Sequence, residues 1–356
     1  MLSDKGTNIF SEIGKFFKEN DATSAMNAIM DTTKALRLSE KRLFGSESKC
    51  NCKLTQLQVL GLLMLFPCFM IRNAYNYGKS SLSSLFDCWK DVFYRFLSNE
   101  SYDWRRILAT VTLQLWNKTQ EKRTSDSTEP VCLMVDDTDY PKRGIQTELI
   151  GKIYSHVTHS MMLGFKGLFI GITDGISQML LDFALVGEEG KKGNHGLKQK
   201  QLDARFTKRD KRGKWNGLIT TNRKIDFFEA YRTYSRRWSL EVVFKESKGR
   251  LGLGKYQMRN FSSQIAMTAI TAMQYNLLST ARRFSDYETV GGLFKNATMS
   301  SVELTLTERI WDMILEIVCE IAECFNIEDE QILDMLVNRS DKLSHFVEIY
   351  QLKLAS

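Results

Sequence analysis

The sequence predicts an α+β (mixed α/β) fold, with a group of strands between an N-terminal and a C-terminal helical region. Apolar residues recur at three- and four-residue spacing in both end regions, as amphipathic helices require. Only three prolines occur, so long helices can run without interruption. Short continuous apolar runs, which are typical of buried strands, fill the middle of the chain.

Residues 1–125 are predicted to be helical, and the polar stretch 121–130 that ends them is predicted to be a linker or loop. The longest apolar run, 59–71, contains Pro67 and is too short to span a bilayer, so a buried helix is predicted there. The segments with the clearest helical spacing are 8–19, 22–36 and 81–99.

The central strands follow this loop. The run VCLMVDD (131–137) ends in two acids and suits a buried central strand. Two further strands are predicted over 163–175 and 176–187, and the Asp-Gly pair at 174–175 indicates a hairpin turn between them. A short strand over 215–221 completes the prediction of a mixed sheet.

Helices are predicted for the rest of the chain. The first covers 231–251, with Asp226 and Glu229 placed as a capping box before it and glycines near its end. Further helices are predicted over 262–284, 306–326 and 328–339.

One face of the 231–251 helix carries a group of polar residues. At about 100° per residue, four of them fall within about 60° of one another. They are Tyr234, Arg237, Glu241 and Lys248, with Lys245 beside them. Two interpretations are open: Arg237 and Glu241 form an i,i+4 surface ion pair, or Glu241 serves a metal or proton-transfer site whose neighbouring cations hold phosphates.

The spacing Tyr234-x2-Arg237-x3-Glu241-x6-Lys248 resembles the Tyr-Arg-Glu-Lys signature of DDE transposases encoded by bacterial insertion sequences. The run RRWSLEVVFKESKGRLGLGKYQ around it is similar to the family's sequence through this helix, and VDDTDYPKRG is similar to the family's first-Asp segment. The resemblance covers the chain from about residue 80 to about residue 310. The other similar segments are 94–108, 154–175, 180–190 and 215–222.

The resemblance implies a ribonuclease-H-like core and cut-and-paste DNA cleavage and strand transfer with Mg²⁺, for which Mn²⁺ can substitute. Two ions about 3.5–4 Å apart would activate the attacking hydroxyl and stabilise the leaving oxygen, and Mg²⁺ prefers a few carboxylates together with phosphate oxygens. By resemblance, Asp137 is the first catalytic and metal-binding acid and Glu241 the last. Asp136 is the alternative for the first position, since neighbours on a strand point to opposite faces.

The same resemblance implies that Tyr234, Arg237 and Lys248 contact DNA phosphates, with Lys245 beside them. The family's second catalytic Asp ends a further strand, which we do not find. The junction near residues 209–211 resembles an internal deletion, so a truncated copy with impaired activity is expected. The remaining candidates for the second acid are Asp174, Asp182, Asp203 and Asp210.

Three regions are therefore expected: 1–125 for DNA-end binding, 131–260 for an incomplete catalytic core, and 261–356 for dimerisation. The chain carries 49 Lys and Arg against 42 Asp and Glu, a net charge of +7, which permits DNA as a partner. The stretch 188–214 is either a phosphate-tracking surface or a solvated loop. A homodimer is expected from the family.

The seven cysteines lack metal-ligand spacing and are predicted to be reduced thiols. No signal peptide or membrane span is predicted, so the expected location is the bacterial cytoplasm, in association with the nucleoid. Three functions remain open at this stage: a DDE transposase, a DNA-binding remnant without catalysis, and a ribonuclease-H-like nuclease unrelated to transposition.

Overall fold

The computed structural model of the chain describes two compact units. The described residues up to Leu97 and from Leu277 onward form one, and those of Ser98–Asn276 form the other. The described residues are 24–48, 53–80, 82–83, 86–123, 129–186, 227–299 and 301.

Helices build the first unit. They are α1 (Ser24–Lys34), α2 (Glu40–Phe44), α3 (Gln56–Leu65), 3-10 turns at Phe66–Phe69 and Ala74–Lys79, α4 (Lys90–Leu97) and a helical segment over 290–299. The predicted buried helix over 59–71 is confirmed as α3 and the turn that follows it. A Thr55–Gln58 capping box begins α3, and Pro67 lies in the first turn of the 3-10 segment.

Aromatic packing forms much of this unit's core. The centre of the Phe93 ring lies 4.8 Å from the centre of the Tyr77 ring and 5.0 Å from that of the Phe66 ring, and both pairs pack edge to face. The Tyr77 hydroxyl donates to the Phe86 carbonyl at 2.6 Å, so this buried polar group is satisfied. Cys68 and Cys88 are buried free thiols in the same region.

The second unit combines helices with an antiparallel sheet. Its helices are α5 (Trp104–Gln120), α6 (Phe227–Ser235), α7 (Trp238–Glu246) and α8 (Phe261–Arg283), the last of which continues into the residues of the first unit. Its strands are β1 (Cys132–Pro141), β2 (Gly151–Ser155), β3 (Ser160–Thr173) and β4 (Gln178–Val186). The predicted α+β class is thereby confirmed.

β3 is the central strand of this sheet. It pairs with β1 along one side, and with β2 and then β4 along successive parts of the other side, always antiparallel. Strands were predicted at β1, β3 and β4, whereas β2 was not. The predicted Asp-Gly hairpin is confirmed: Asp174 Oδ1 accepts from two backbone amides of the turn, and Gly175 has a φ of +91°.

One face of the sheet is covered and the other carries exposed apolar residues. On the covered face, the centre of the Phe169 ring lies 5.3 Å from the centre of the Phe244 ring in α7. The opposite face exposes 68% of Leu133 and 54% of Val135, together with neighbouring residues of β3. The site described below lies where β1 crosses α7.

β4 is tied to two helices at a bulge opposite Ile170 and Gly171. The Leu180 amide donates to Asn276 Oδ1 of α8 at 2.8 Å. Asn276 Nδ2 donates to the Leu180 carbonyl and to Thr112 Oγ1 of α5, both at 2.8 Å. The Asn276 side chain therefore supplies hydrogen bonds that a neighbouring strand would otherwise provide.

Several predictions lie outside the described residues: the strand over 215–221, the basic stretch 188–214 with the junction near 209–211, Asp226 of the capping box, and the helices over 8–19, 306–326 and 328–339. Among the helices that the structure describes, none is long and apolar enough to cross a membrane.

Candidate functional site

The two adjacent aspartates of β1 point to opposite faces of the sheet. Asp136 shares the covered face with Met134 and Thr138, and its side chain is 19% exposed. Asp137 shares the other face with Val135, and its side chain is 42% exposed. The alternation of side chains along a strand predicted this opposition, and the structure confirms it.

The helix predicted over 231–251 is interrupted in the structure. α6 and α7 are separated by a two-residue turn, and α7 is followed by a π-helical turn at Ser247–Leu251. Gly252, with a φ of +76°, ends the segment in the left-handed conformation that favours glycine. The angular positions predicted for one continuous helix therefore hold only from Arg237, which caps α7 in the helical conformation, to the end of α7.

Arg236 lies in the turn between α6 and α7. Its guanidinium forms an ion pair with Glu129 and donates to the Pro130 carbonyl at 2.5 Å. Arg232 of α6 pairs with the same Glu129 carboxylate. The turn between α6 and α7 is thus fixed to the residues that lead into β1, a connection that helix periodicity does not reveal.

Arg237 joins the two predicted parts of the site. Its Nη1 lies 2.8 Å from Asp136 Oδ2, and its Nη2 lies 3.2 Å from Glu241 Oε1. The guanidinium carbon also lies 5.9 Å from the centre of the Tyr234 ring. Burial alone would lower the pKa of Arg237, but its acidic neighbours, Asp136 first, outweigh burial and raise the pKa.

A second bridge lies on the opposite face of β1. Lys166 Nζ lies 2.8 Å from Asp137 Oδ2 and 2.6 Å from Asp139 Oδ1. Burial would raise the pKa of Asp139, but hydrogen bonds from Lys166 and Ser155 and the positive charges nearby outweigh it, so the pKa lies below its ordinary value. The pKa of Lys166 is raised: burial opposes this, but its contacts with the two aspartates prevail.

Lys248 reaches the same part of β1 from the π-helical turn. Its Nζ donates to the Asp139 backbone carbonyl at 2.9 Å. Burial lowers the pKa of Lys248, and the positive charge of Lys166 contributes in the same direction. Lys245, one turn earlier, is exposed to solvent.

The structure sorts the predicted site residues into two groups. One group contains Asp136, Glu241, Arg237 and Tyr234. The other contains Asp137, which Lys166 links to Asp139. The i,i+4 pair of Arg237 and Glu241 is present, and the alternative first acid, Asp136, is the one bound to the same arginine. The structure thus links Glu241 to Asp136, while Asp137 has a different cation as its partner.

The candidates for a second acid have other roles where they are described. Asp174 Oδ1 closes the β3–β4 turn. Asp182 pairs with Arg105 of α5, whose Nε lies 2.7 Å from Asp182 Oδ1. Asp203 and Asp210 lie outside the described residues.

Sequence analysis missed Asp139 and Lys166. Asp139 was detectable, because it lies two residues after Asp137 and so shares its face. Lys166 was not, because its position directly across from Asp139 depends on the register of β1 with β3.

The carboxylates of this region already have cationic partners. Both carboxylate oxygens of Asp136 have a partner, since its Oδ2 pairs with Arg237 and its Oδ1 accepts from the Asp137 amide at 3.0 Å. Within the part of the chain that is described, no group of three or more His, Cys, Asp or Glu residues is placed to hold a metal ion. In this pairing, the described carboxylates do not fit the two-ion site that the family resemblance implies.

A comparison of the chain with protein-family models finds no match, and a comparison with curated proteins finds none either. Function is therefore inferred from the motifs and from the contacts that join them.

Proposed function

We propose that the chain is a DNA transposase of the cut-and-paste DDE type, with a ribonuclease-H-like core and impaired strand cleavage. One observation supports the proposal most directly. The segment VDDTDYPKRG and the Tyr-Arg-Glu-Lys helix, which the family resemblance pairs with each other, meet in space through Arg237 and Lys248. The antiparallel sheet against which α7 packs also agrees with such a core.

Four residues would contact DNA in this proposal. Arg237 and Lys248 would hold phosphates beside β1, while the exposed Lys245 and the half-exposed Tyr234 ring would extend the contact along the backbone. Asp137 and Glu241 lie on opposite sides of β1, so strand cleavage with Mg²⁺ at this pair would require both carboxylates to be released from their present cations and brought to the same side of the sheet.

The first unit offers a second surface suited to nucleic acid. Trp89 is 75% exposed and Tyr75 61% exposed, and Lys90 Nζ lies 5.1 Å from the centre of the Tyr75 ring. Exposed aromatic rings beside a cation can stack on bases and attract phosphates. This surface supports a role in DNA-end binding for the N-terminal region.

A second function is a DNA-binding protein that occupies element ends without cutting them. The observation that favours it is the pairing of Asp136, Asp137, Asp139 and Glu241 with cations. Such a chain would act through its lysines and arginines alone, or by joining an active copy in a mixed dimer.

The test has two measurements on the full chain. Fluorescence anisotropy with duplexes from the regions flanking the coding sequence should show binding that weakens steeply as salt rises. Arg237→Ala should weaken it more than Lys152→Ala, which removes the same charge from an exposed position of β2. Nicking of a supercoiled plasmid carrying these flanks, with Mg²⁺ or Mn²⁺, then separates the two functions.

Slow nicking that Glu241→Ala abolishes would establish the transposase activity. Binding without nicking would favour the end-occupying function. Absence of preference for the flanks over an unrelated duplex, with cleavage retained, would instead indicate a nuclease unrelated to transposition. Absence of both binding and nicking would refute all of these functions.

A further inference from the structure

Lys166 lies between two carboxylates of β1, and its ammonium group contacts both. Its Nζ contacts Asp137 Oδ2 at 2.8 Å and Asp139 Oδ1 at 2.6 Å, and the Tyr154 carbonyl oxygen lies 3.4 Å away. We propose that Lys166 is the resident cation of the Asp137–Asp139 pair and determines whether this pair binds a divalent cation.

The geometry of the strand makes these two aspartates a natural pair. Asp137 and Asp139 are separated by one residue, so their side chains leave the same face of β1, with Cα atoms about 7 Å apart. Lys166 lies directly across from Asp139 on β3. An ammonium group has three N–H donors, and three acceptors surround this one.

Burial strengthens the arrangement. The side chains of Lys166 and Asp139 are 25% and 13% exposed, so water screens their attraction less than it would on an open surface. Asp137 is the more accessible carboxylate at 42%. A divalent cation would therefore displace Lys166 from Asp137 first, leaving the ammonium paired with Asp139 alone.

Charge balance explains why such a cation is disfavoured at present. Lys166 and Lys248 supply two positive charges to the two negative charges of Asp137 and Asp139. A divalent cation entering without displacing Lys166 would gain little net attraction, because the charges of the two lysines offset those of the two aspartates. Removing the ammonium group leaves a pair of oxygen ligands of the kind that Mg²⁺ and Mn²⁺ prefer.

This inference rests on the proposed function, because Asp137 is a carboxylate that strand cleavage with Mg²⁺ would use. Its test needs no DNA. Mn²⁺ is titrated calorimetrically into the full chain, into Lys166→Met, and into the control Lys152→Met, which removes a lysine from the neighbouring β2. Lys166→Met should bind Mn²⁺ at least about tenfold more tightly than the original chain, and the control should not.

Adding Asp137→Asn to Lys166→Met should remove the gain, because the accessible ligand is then lost. The proposal is overturned if Lys166→Met binds Mn²⁺ within about threefold of the original chain, a difference too small for a displaced full charge. It is equally overturned if the gain survives Asp137→Asn, or if no variant binds Mn²⁺ at millimolar concentration.

Lys166→Met leaves the largely buried Asp139 without its main partner, so circular dichroism must show that the variant is folded. If it is not, Lys166→Met combined with Asp139→Asn decides the question, since the amide keeps an oxygen ligand and needs no counter-ion. DNA binding without the expected gain in Mn²⁺ affinity would overturn this inference alone. The gain without DNA binding would leave it standing and refute the proposed function.

Discussion

Asn276 offers a quantitative test of how α8 supports the sheet. Asn276→Ala removes the acceptor of the Leu180 amide and one of the two donors to the Leu180 carbonyl, at a fully buried position. A buried polar group left without a partner costs about 1–3 kcal/mol. The amide loses its acceptor completely, whereas the carbonyl keeps the Thr112 hydroxyl at 3.2 Å. We therefore expect the free energy of unfolding to fall by about 2–4 kcal/mol.

The assay is urea unfolding followed by circular dichroism, with the free energy taken from the midpoint and slope of the transition. Thr112→Val is the matched comparison, because it removes one hydroxyl from the same network and should cost only about 1 kcal/mol. If Asn276→Ala changes the free energy by less than about 0.5 kcal/mol, or by less than Thr112→Val, then the side chain does not replace a strand partner and the reasoning is wrong.

Three further predictions concern the site and its surroundings. Arg237→Gln should lower the free energy of unfolding by about 1–3 kcal/mol, since Asp136 loses its ion partner. Adding Asp136→Asn should restore part of the lost stability in thermal melts. If it restores none, the pairing of Arg237 with Asp136 does not contribute to stability. Gly254→Ala should destabilise the chain by at least about 1–2 kcal/mol, because Gly254 has a φ of +76° and an added Cβ would lie 2.8 Å from a buried tyrosine ring. Gly249→Ala, where an added Cβ meets nothing within 4 Å, is its control, and equal melting temperatures for the two variants would refute this argument. Burial lowers the pKa of Lys142 from 10.5 to about 8, so between these values the unfolded chain binds more protons and Lys142 makes stability rise with pH. The melting temperature of the original chain, relative to that of Lys142→Met, should therefore rise from pH 7.5 to 9.5. A constant difference between the two melting temperatures would contradict this pKa shift.

The sequence predicted those elements whose signal is local. The spacing of apolar residues located α1, α4 and α8, and continuous apolar runs located α3, β1, β3 and β4. The strand β2 was missed because GKIYS is short and is defined by its pairing with β3 rather than by its own pattern. The interruption between α6 and α7 was missed, and so was the contact of Arg236 in that turn with Glu129, which lies 107 positions away in the chain.

The contacts of the candidate site also divide into those that local patterns predicted and those that they did not. Alternation along β1 separated Asp136 from Asp137, and helix spacing predicted the pair of Arg237 and Glu241, because both patterns are local. The links between β1 and its partners depend on tertiary contacts and strand register. Spacing therefore identified Arg237 as a residue of interest but could not identify Asp136 as its second partner.

The contact between Arg237 and Asp136 also has a consequence for the order of folding. The two residues are 101 positions apart in the chain, so a long loop must close before they meet. That closure also needs β1 to be paired with β3 and α7 to be packed on the sheet, and such non-local contacts form slowly. A peptide containing only α6 and α7 would lack β1 and with it the Asp136 partner of Arg237, and helices of nine residues are marginal in water on their own. The contact of Arg237 with Asp136 is therefore expected to form late in folding, and a chain halted before it would have helices and hairpins but not this link between β1 and α7.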